Sequence, residues 1–152
     1  MLRDKLPREV QAALLRNEAV GTTESEAYLE GMRVFYERHV CRTLPWPREF
    51  MASFLEISND PTVYYRMNGP SEFHVIGTLR DWSVVEDVAR IEVPTLLISG
   101  RHDEATLATV QPFYDRIPNA RWEIFEDSSH VPHIEEHARF KSVMVDFLKS
   151  VQ

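Results

Sequence analysis

The 152 residues include one cysteine, five glycines and no apolar run of about 18. Each shortage excludes something. Cys41 alone rules out an internal disulfide framework and suits a reducing compartment; in HVCRTL, at a helix end, it reads as a packing residue. The N-terminal MLRDKLPREV has no apolar signal core, so neither membrane insertion nor export is indicated and the expected location is cytoplasmic. Basic residues are outnumbered, 17 Lys and Arg against 24 Asp and Glu, giving a net charge of −7 with no basic cluster. Nucleic acid is therefore excluded as a partner. Internal repeats and low-complexity stretches are also missing. What remains is ordinary globular composition, 43% hydrophobic and 27% charged, in a length that can bury a sizeable core.

Residues 1–85 read as a mostly helical region. Pro7, Val10, Ala13, Leu14 and Asn17 with Gly21 as a stop describe a first helix of about 12 residues. Thr23 and Glu26 form a capping box ahead of Tyr28, Leu29, Met32, Phe35, Tyr36 and Val40. Pro45 and Pro47 must interrupt that pattern, and a third helix follows over about Arg48–Ile57. Asp60 before Pro61 starts a short helix through Tyr64 and Tyr65 that ends near Asn68-Gly69-Pro70. Ser71–Leu79 shows no period, and Asp81 or Ser83 can cap one more short helix carrying Val84, Val85 and Val88.

Residues 86–152 alternate strand and helix, the pattern of a parallel sheet. Thr95–Ser99 is a nearly continuous apolar run after Pro94, as expected of a strand buried on both faces. A helix follows with Pro112 in its first turn, ending before Ile117-Pro118. Arg121–Glu126 makes a second strand, with Trp122 and Ile124 on one face and Phe125 on the other. Phe140, Val143, Met144, Phe147, Leu148 and Val151 give the last helix the cleanest period in the chain.

Each strand ends in a loop with chemistry in it: Gly100-Arg-His-Asp103-Glu104 after the first and Asp127-Ser-Ser-His130 after the second. Open α/β sheets place active sites past the carboxyl ends of their strands. Loops from two neighbouring parallel strands should lie side by side, where an Asp carboxylate accepting from His Nδ1–H would leave Nε2 free to take a proton from a nucleophile. In the α/β-hydrolase fold a triad runs Ser, then acid, then His along the chain. Asp103 and His130 keep the order of the last two. The first is missing: no G-x-S-x-G occurs, and Gly69-Pro-Ser71-Glu-Phe73 fails at its final position. Oxyanion-loop glycines are missing as well, and two buried parallel strands need neighbours that this chain does not contain.

Four stretches, Met67-Asn-Gly-Pro-Ser-Glu-Phe73, Gly77-Thr-Leu-Arg-Asp-Trp82, Gly100-Arg-His-Asp-Glu-Ala-Thr106 and Asp127-Ser-Ser-His130, resemble the C-terminal half of a proline iminopeptidase. That family comprises serine aminopeptidases of the α/β-hydrolase fold and includes the tricorn-interacting factor; the resemblance runs from about residue 5 to 150. It implies the C-terminal part of an α/β-hydrolase fold: a helical cap region over 1–85, then the last two parallel strands and their helices, in an incomplete sheet. It further implies that Asp103 is the triad acid and His130 the base, and that Glu72 and Glu104 hold the free α-amine of a peptide substrate. A substrate ammonium drawn into a partly desolvated pocket needs such carboxylates.

The expected activity is release of N-terminal proline or another small residue through an acyl-enzyme. The chain alone should be inactive, its partner being a missing N-terminal half or a second copy of itself. No cofactor is implied. His130, His133 and His137 imitate a metal face, but Pro132 interrupts it and Glu135 and Glu136 complete no ligand pattern. Two other readings use the same residues: a non-catalytic remnant or interaction module presenting its sheet edge, and a capped hydrolase of non-peptide esters or amides.

Overall fold

The computed structural model describes residues 2–151. The chain divides into two compact units, one holding the residues up to Glu37 together with Thr43–Trp82, the other Arg38–Arg42 together with Ser83 onward. Short polar turns and prolines punctuate both.

Helices make up the first unit: α1 (Arg8–Val20), α2 (Glu26–His39, of which the last two residues count with the second unit), α3 (Arg48–Asn59) and α4 (Thr62–Met67). Gly21 ends α1 in the left-handed region at φ 72°, where a side chain would be strained. The expected capping box is displaced. Helix α2 begins at Glu26 itself, and Ser25 caps it, its Oγ accepting from the Tyr28 N–H at 3.3 Å while donating to Asn17 Oδ1 at 2.7 Å. Asp60 receives the Thr62 N–H at 3.2 Å, as its place before α4 suggests.

Leu14, Tyr28, Phe35, Tyr36 and Phe50 form the buried centre of this unit. Aromatic pairs extend it, with Phe35 and Phe73 ring centres 4.5 Å apart and Phe50 and Phe54 4.9 Å apart. The stretch without period after α4 is a loop folded back on that helix: Ile76 and Gly77 N–H donate to Asn68 O, Thr78 N–H to Arg66 O and Leu79 N–H to Met67 O. Such pinning satisfies a loop backbone that no ladder serves.

The second unit is built on β1 (Thr95–Gly100) and β2 (Ala120–Phe125), parallel and in register from Thr95 opposite Ala120 to Gly100 opposite Phe125. Around them lie α5 (Leu107–Arg116), α6 (Pro132–Glu135) and α7 (His137–Ser150). Trp122 donates its indole N–H to the buried Ser99 hydroxyl at 3.1 Å, and Arg139 from α7 lies over the Phe125 ring at 4.3 Å.

Four expectations change here. Val84, Val85 and Val88 do not share an α-helix; the Asp87 and Val88 N–H groups both close on Val84 O, and the regular element that follows is only a 3-10 turn, Val88–Arg90. Pro112 is the sixth residue of α5, not part of its first turn. The carbonyl it leaves without a helical donor belongs to Ala108, an exposed residue. Helix α6, absent from the sequence reading, opens with Pro132 in its first turn. Finally, β1 is fully buried only at Ser99 and Gly100, since the described residues form a two-stranded sheet and Thr95–Ile98 lack the neighbours that would cover them.

Candidate active site

The paired strand ends bring two loops together. Arg101 N–H donates to Phe125 O at 2.8 Å and His102 N–H to Ser128 O at 3.0 Å, extending the β1–β2 pairing into the loops. Gly100 permits this approach. A Cβ there would lie 2.0 Å from Ser129 O and 2.4 Å from Ser128 O, both backbone atoms that cannot turn aside. Beyond the pairing, Arg101 forms an exposed two-pronged bridge with Glu126 at 2.7 and 2.6 Å.

From this platform His130 Nδ1 meets Asp103 Oδ1 at 3.0 Å. Asp103 is 8% exposed, and the same oxygen accepts the Ala105 N–H at 2.8 Å, which fixes the carboxylate before α5 begins. His130 is half exposed, its side chain at 50%. With a proton on Nδ1, the imidazole donates to Asp103 and keeps a lone pair on Nε2, the arrangement a general base requires.

Residues 38–42 pack on the acid's loop. Glu104 N–H donates to His39 O at 3.2 Å, and His39 Nδ1–H donates to His102 O at 2.9 Å. Burial pushes the His39 imidazole below its ordinary range, with the His102 carbonyl opposing that shift. Glu104 is half-buried and lies three residues ahead of α5, so the helix's first turn does not contain it.

Glu72 belongs to the first unit. Its carboxylate accepts from the hydroxyls of Tyr36 and of Tyr64, the latter at 2.6 Å, and Asn68 Nδ2–H donates to Tyr64 Oη at 3.1 Å. Burial first and the neighbouring Glu72 second push both phenols above their ordinary range. Glu72 lines a pocket of about 220 Å³ whose apolar walls include Leu29, Met32, Phe54 and Tyr65. Nothing in the sequence pattern pointed to Tyr36 as its partner, because the contact spans 36 positions. Tyr64 shares the helix that leads into the loop, a weaker but readable signal.

Among the described residues, no group of three or more His, Cys, Asp or Glu is placed to hold a metal ion, and no helix is long and apolar enough to cross a membrane.

No family model matches the chain. Curated relatives do. It is 35% identical over 150 residues to a proline iminopeptidase of Saccharolobus solfataricus, covering 99% of this chain and 48% of that protein. A proline iminopeptidase of Thermoplasma volcanium is 32% identical over 97% of this chain and 50% of its own length. The chain thus spans about half the length of the curated relatives it matches. Among solved structures, VinJ superposes with a TM-score of 0.97 at 60% identity, over 99% of this chain and 51% of that one. The proline iminopeptidase of Mycobacterium smegmatis gives 0.87 at 48% identity, over 98% and 50%. A thermophilic esterase at 18% identity, with a TM-score of 0.60, shares the fold alone.

Proposed function

We propose that this chain, similar to proline iminopeptidases over about half their length, is the counterpart of their C-terminal half within the α/β-hydrolase fold and supplies the acid and base of a serine aminopeptidase. Asp103 holds His130 in the Nδ1–H tautomer. His130 Nε2 takes the proton of a serine hydroxyl as the serine attacks the carbonyl of the substrate's N-terminal residue, and returns it to the leaving amine. Water then releases the acyl group by the same base. On this reading the serine and the oxyanion donors come from a separate N-terminal half, so this chain alone turns nothing over.

The observation that carries the reading is the 3.0 Å contact between Asp103 and His130 at paired strand ends. Specificity for a peptide with a free N-terminus rests on Glu72 and Glu104. A carboxylate has about four lone-pair sites. Two phenols occupy part of that capacity on Glu72, which leaves room for an ammonium. The small pocket beside it suits proline or another small side chain. A cytoplasmic setting agrees with Cys41, a buried thiol.

The test joins this chain to the N-terminal half of the Mycobacterium smegmatis relative. The joined protein is expected to release a chromophore linked to N-terminal proline, and the 152-residue chain is not. Release by the purified chain alone, abolished by His130→Ala, would overturn the division of labour between halves.

A further inference from the structure

Glu135 completes no metal pattern, yet its carboxylate gathers donors from two separate segments. Oε2 accepts the Ser129 N–H at 2.7 Å and the Ser129 hydroxyl lies 2.9 Å from Oε1. Oε1 also accepts the Arg42 N–H at 2.7 Å, across 93 positions of sequence. Ser129 is fully buried and immediately precedes His130. Arg42 belongs to the segment whose His39 grips the acid's loop at His102 and Glu104. One side chain therefore ties the base's loop to the element that holds the acid's loop. Its neighbour Glu136 serves the loop's entrance, accepting from Asp127 N–H at 3.2 Å and Ser128 Oγ at 2.7 Å.

We propose that Glu135 is a positioning residue for the base, fixing through Ser129 and Arg42 the backbone from which His130 reaches Asp103. The proposal rests on the reading of Asp103 and His130 as acid and base. The His130 ring is half exposed, so its direction depends on the backbone of the loop that carries it. Charge-assisted bonds to backbone N–H groups are roughly twice as strong as neutral ones and suit that task. Truncating Glu135 would orphan two backbone donors, one of them in a fully buried residue, and the loop would rearrange to satisfy them.

Nitrogen NMR of the histidine-labelled 152-residue chain, at a pH where imidazoles are neutral, reads the tautomer of His130 directly, with His130→Ala assigning its signals. The Nδ1–H tautomer is expected in the parent, and its loss in Asp103→Ala. Glu135→Ala is expected to mix the two tautomers and to speed solvent exchange of the Nδ1 proton by about tenfold while the amide spectrum stays folded. If Glu135→Ala does not fold, Glu135→Gln carries the test, since it keeps the volume and one acceptor oxygen but turns an NH2 toward the remaining donors. A folded variant at Glu135 that is less stable yet keeps the Nδ1–H tautomer and the parent exchange rate would make the residue merely structural and overturn the proposal. A parent lacking the Nδ1–H tautomer, or an Asp103→Ala chain that retains it, would overturn the underlying acid–base reading instead.

Discussion

Replacing Gly100 by alanine adds one methyl group at the point where both site loops meet. Its obstacles are the carbonyl oxygens of Ser129 and Ser128, 2.0 and 2.4 Å from the new Cβ. To reach the 3.4 Å of ordinary contact, the Ser129 carbonyl must retreat by about 1.4 Å. A shift of that size, one residue from His130, breaks the 3.0 Å contact with Asp103 and strains the His102 N–H to Ser128 O bond. Overpacking a tight site costs about 1–3 kcal/mol when side chains can adjust. Here only backbone can move and two hydrogen bonds of about 1 kcal/mol each go with it, so we expect about 3 kcal/mol or more. With a urea slope of about 2 kcal/mol per molar, the unfolding midpoint of the strand-helix unit falls by roughly 1.5 M. The amide signals of β1 and β2 report that midpoint without interference from the helical unit. A midpoint within about 0.3 M of the parent would show that the loops do not close on Gly100 as described.

Alkaline pH and amine specificity give two further tests. Burial raises the Tyr28 phenol to about 12, and Tyr36 and Tyr64 are raised as well. An unfolded tyrosine loses its proton near 10, so between pH 10 and 12 the unfolded state is favoured and stability falls as pH rises. Urea midpoints at pH 9 and 11.5 should show that loss, and Tyr28→Phe should reduce it; an unchanged slope in Tyr28→Phe would contradict the buried placement of its hydroxyl. In the joined enzyme, Glu72→Gln and Glu104→Gln should each raise KM for a free-amine substrate by tenfold or more, the effect of about 1.5–3 kcal/mol lost from a charge-assisted bond. An N-acetylated substrate should be indifferent to both changes, and equal effects on the two substrates would refute amine recognition.

Local features were legible in the sequence. An apolar run after Pro94 and a clean helical period from Phe140 announce β1 and α7 because burial imposes spacing on the chain. Two loops following parallel strands could be paired on topology alone, which is why Asp103 and His130 stood out. What escaped depends on contacts between distant positions. Glu135 meets Arg42 across 93 residues and Tyr36 meets Glu72 across 36, and no local pattern encodes either. Elsewhere a stronger neighbour won: Ser25 rather than Thr23 caps α2 because Asn17 holds its hydroxyl in place. Pro112 enters the second turn of α5, where the helical donor it removes would have served the exposed residue Ala108.

On the proposed function, this chain brings a working acid and base to a nucleophile on another half. Turnover by the joined enzyme, compared across parent, Asp103→Asn and His130→Ala, tests it most directly. We expect release of N-terminal proline by the parent and a fall in kcat on the order of 10⁴-fold in Asp103→Asn, where the imidazole adopts the wrong tautomer, with a loss at least as large in His130→Ala. A joined enzyme that works equally well without either side chain would contradict it.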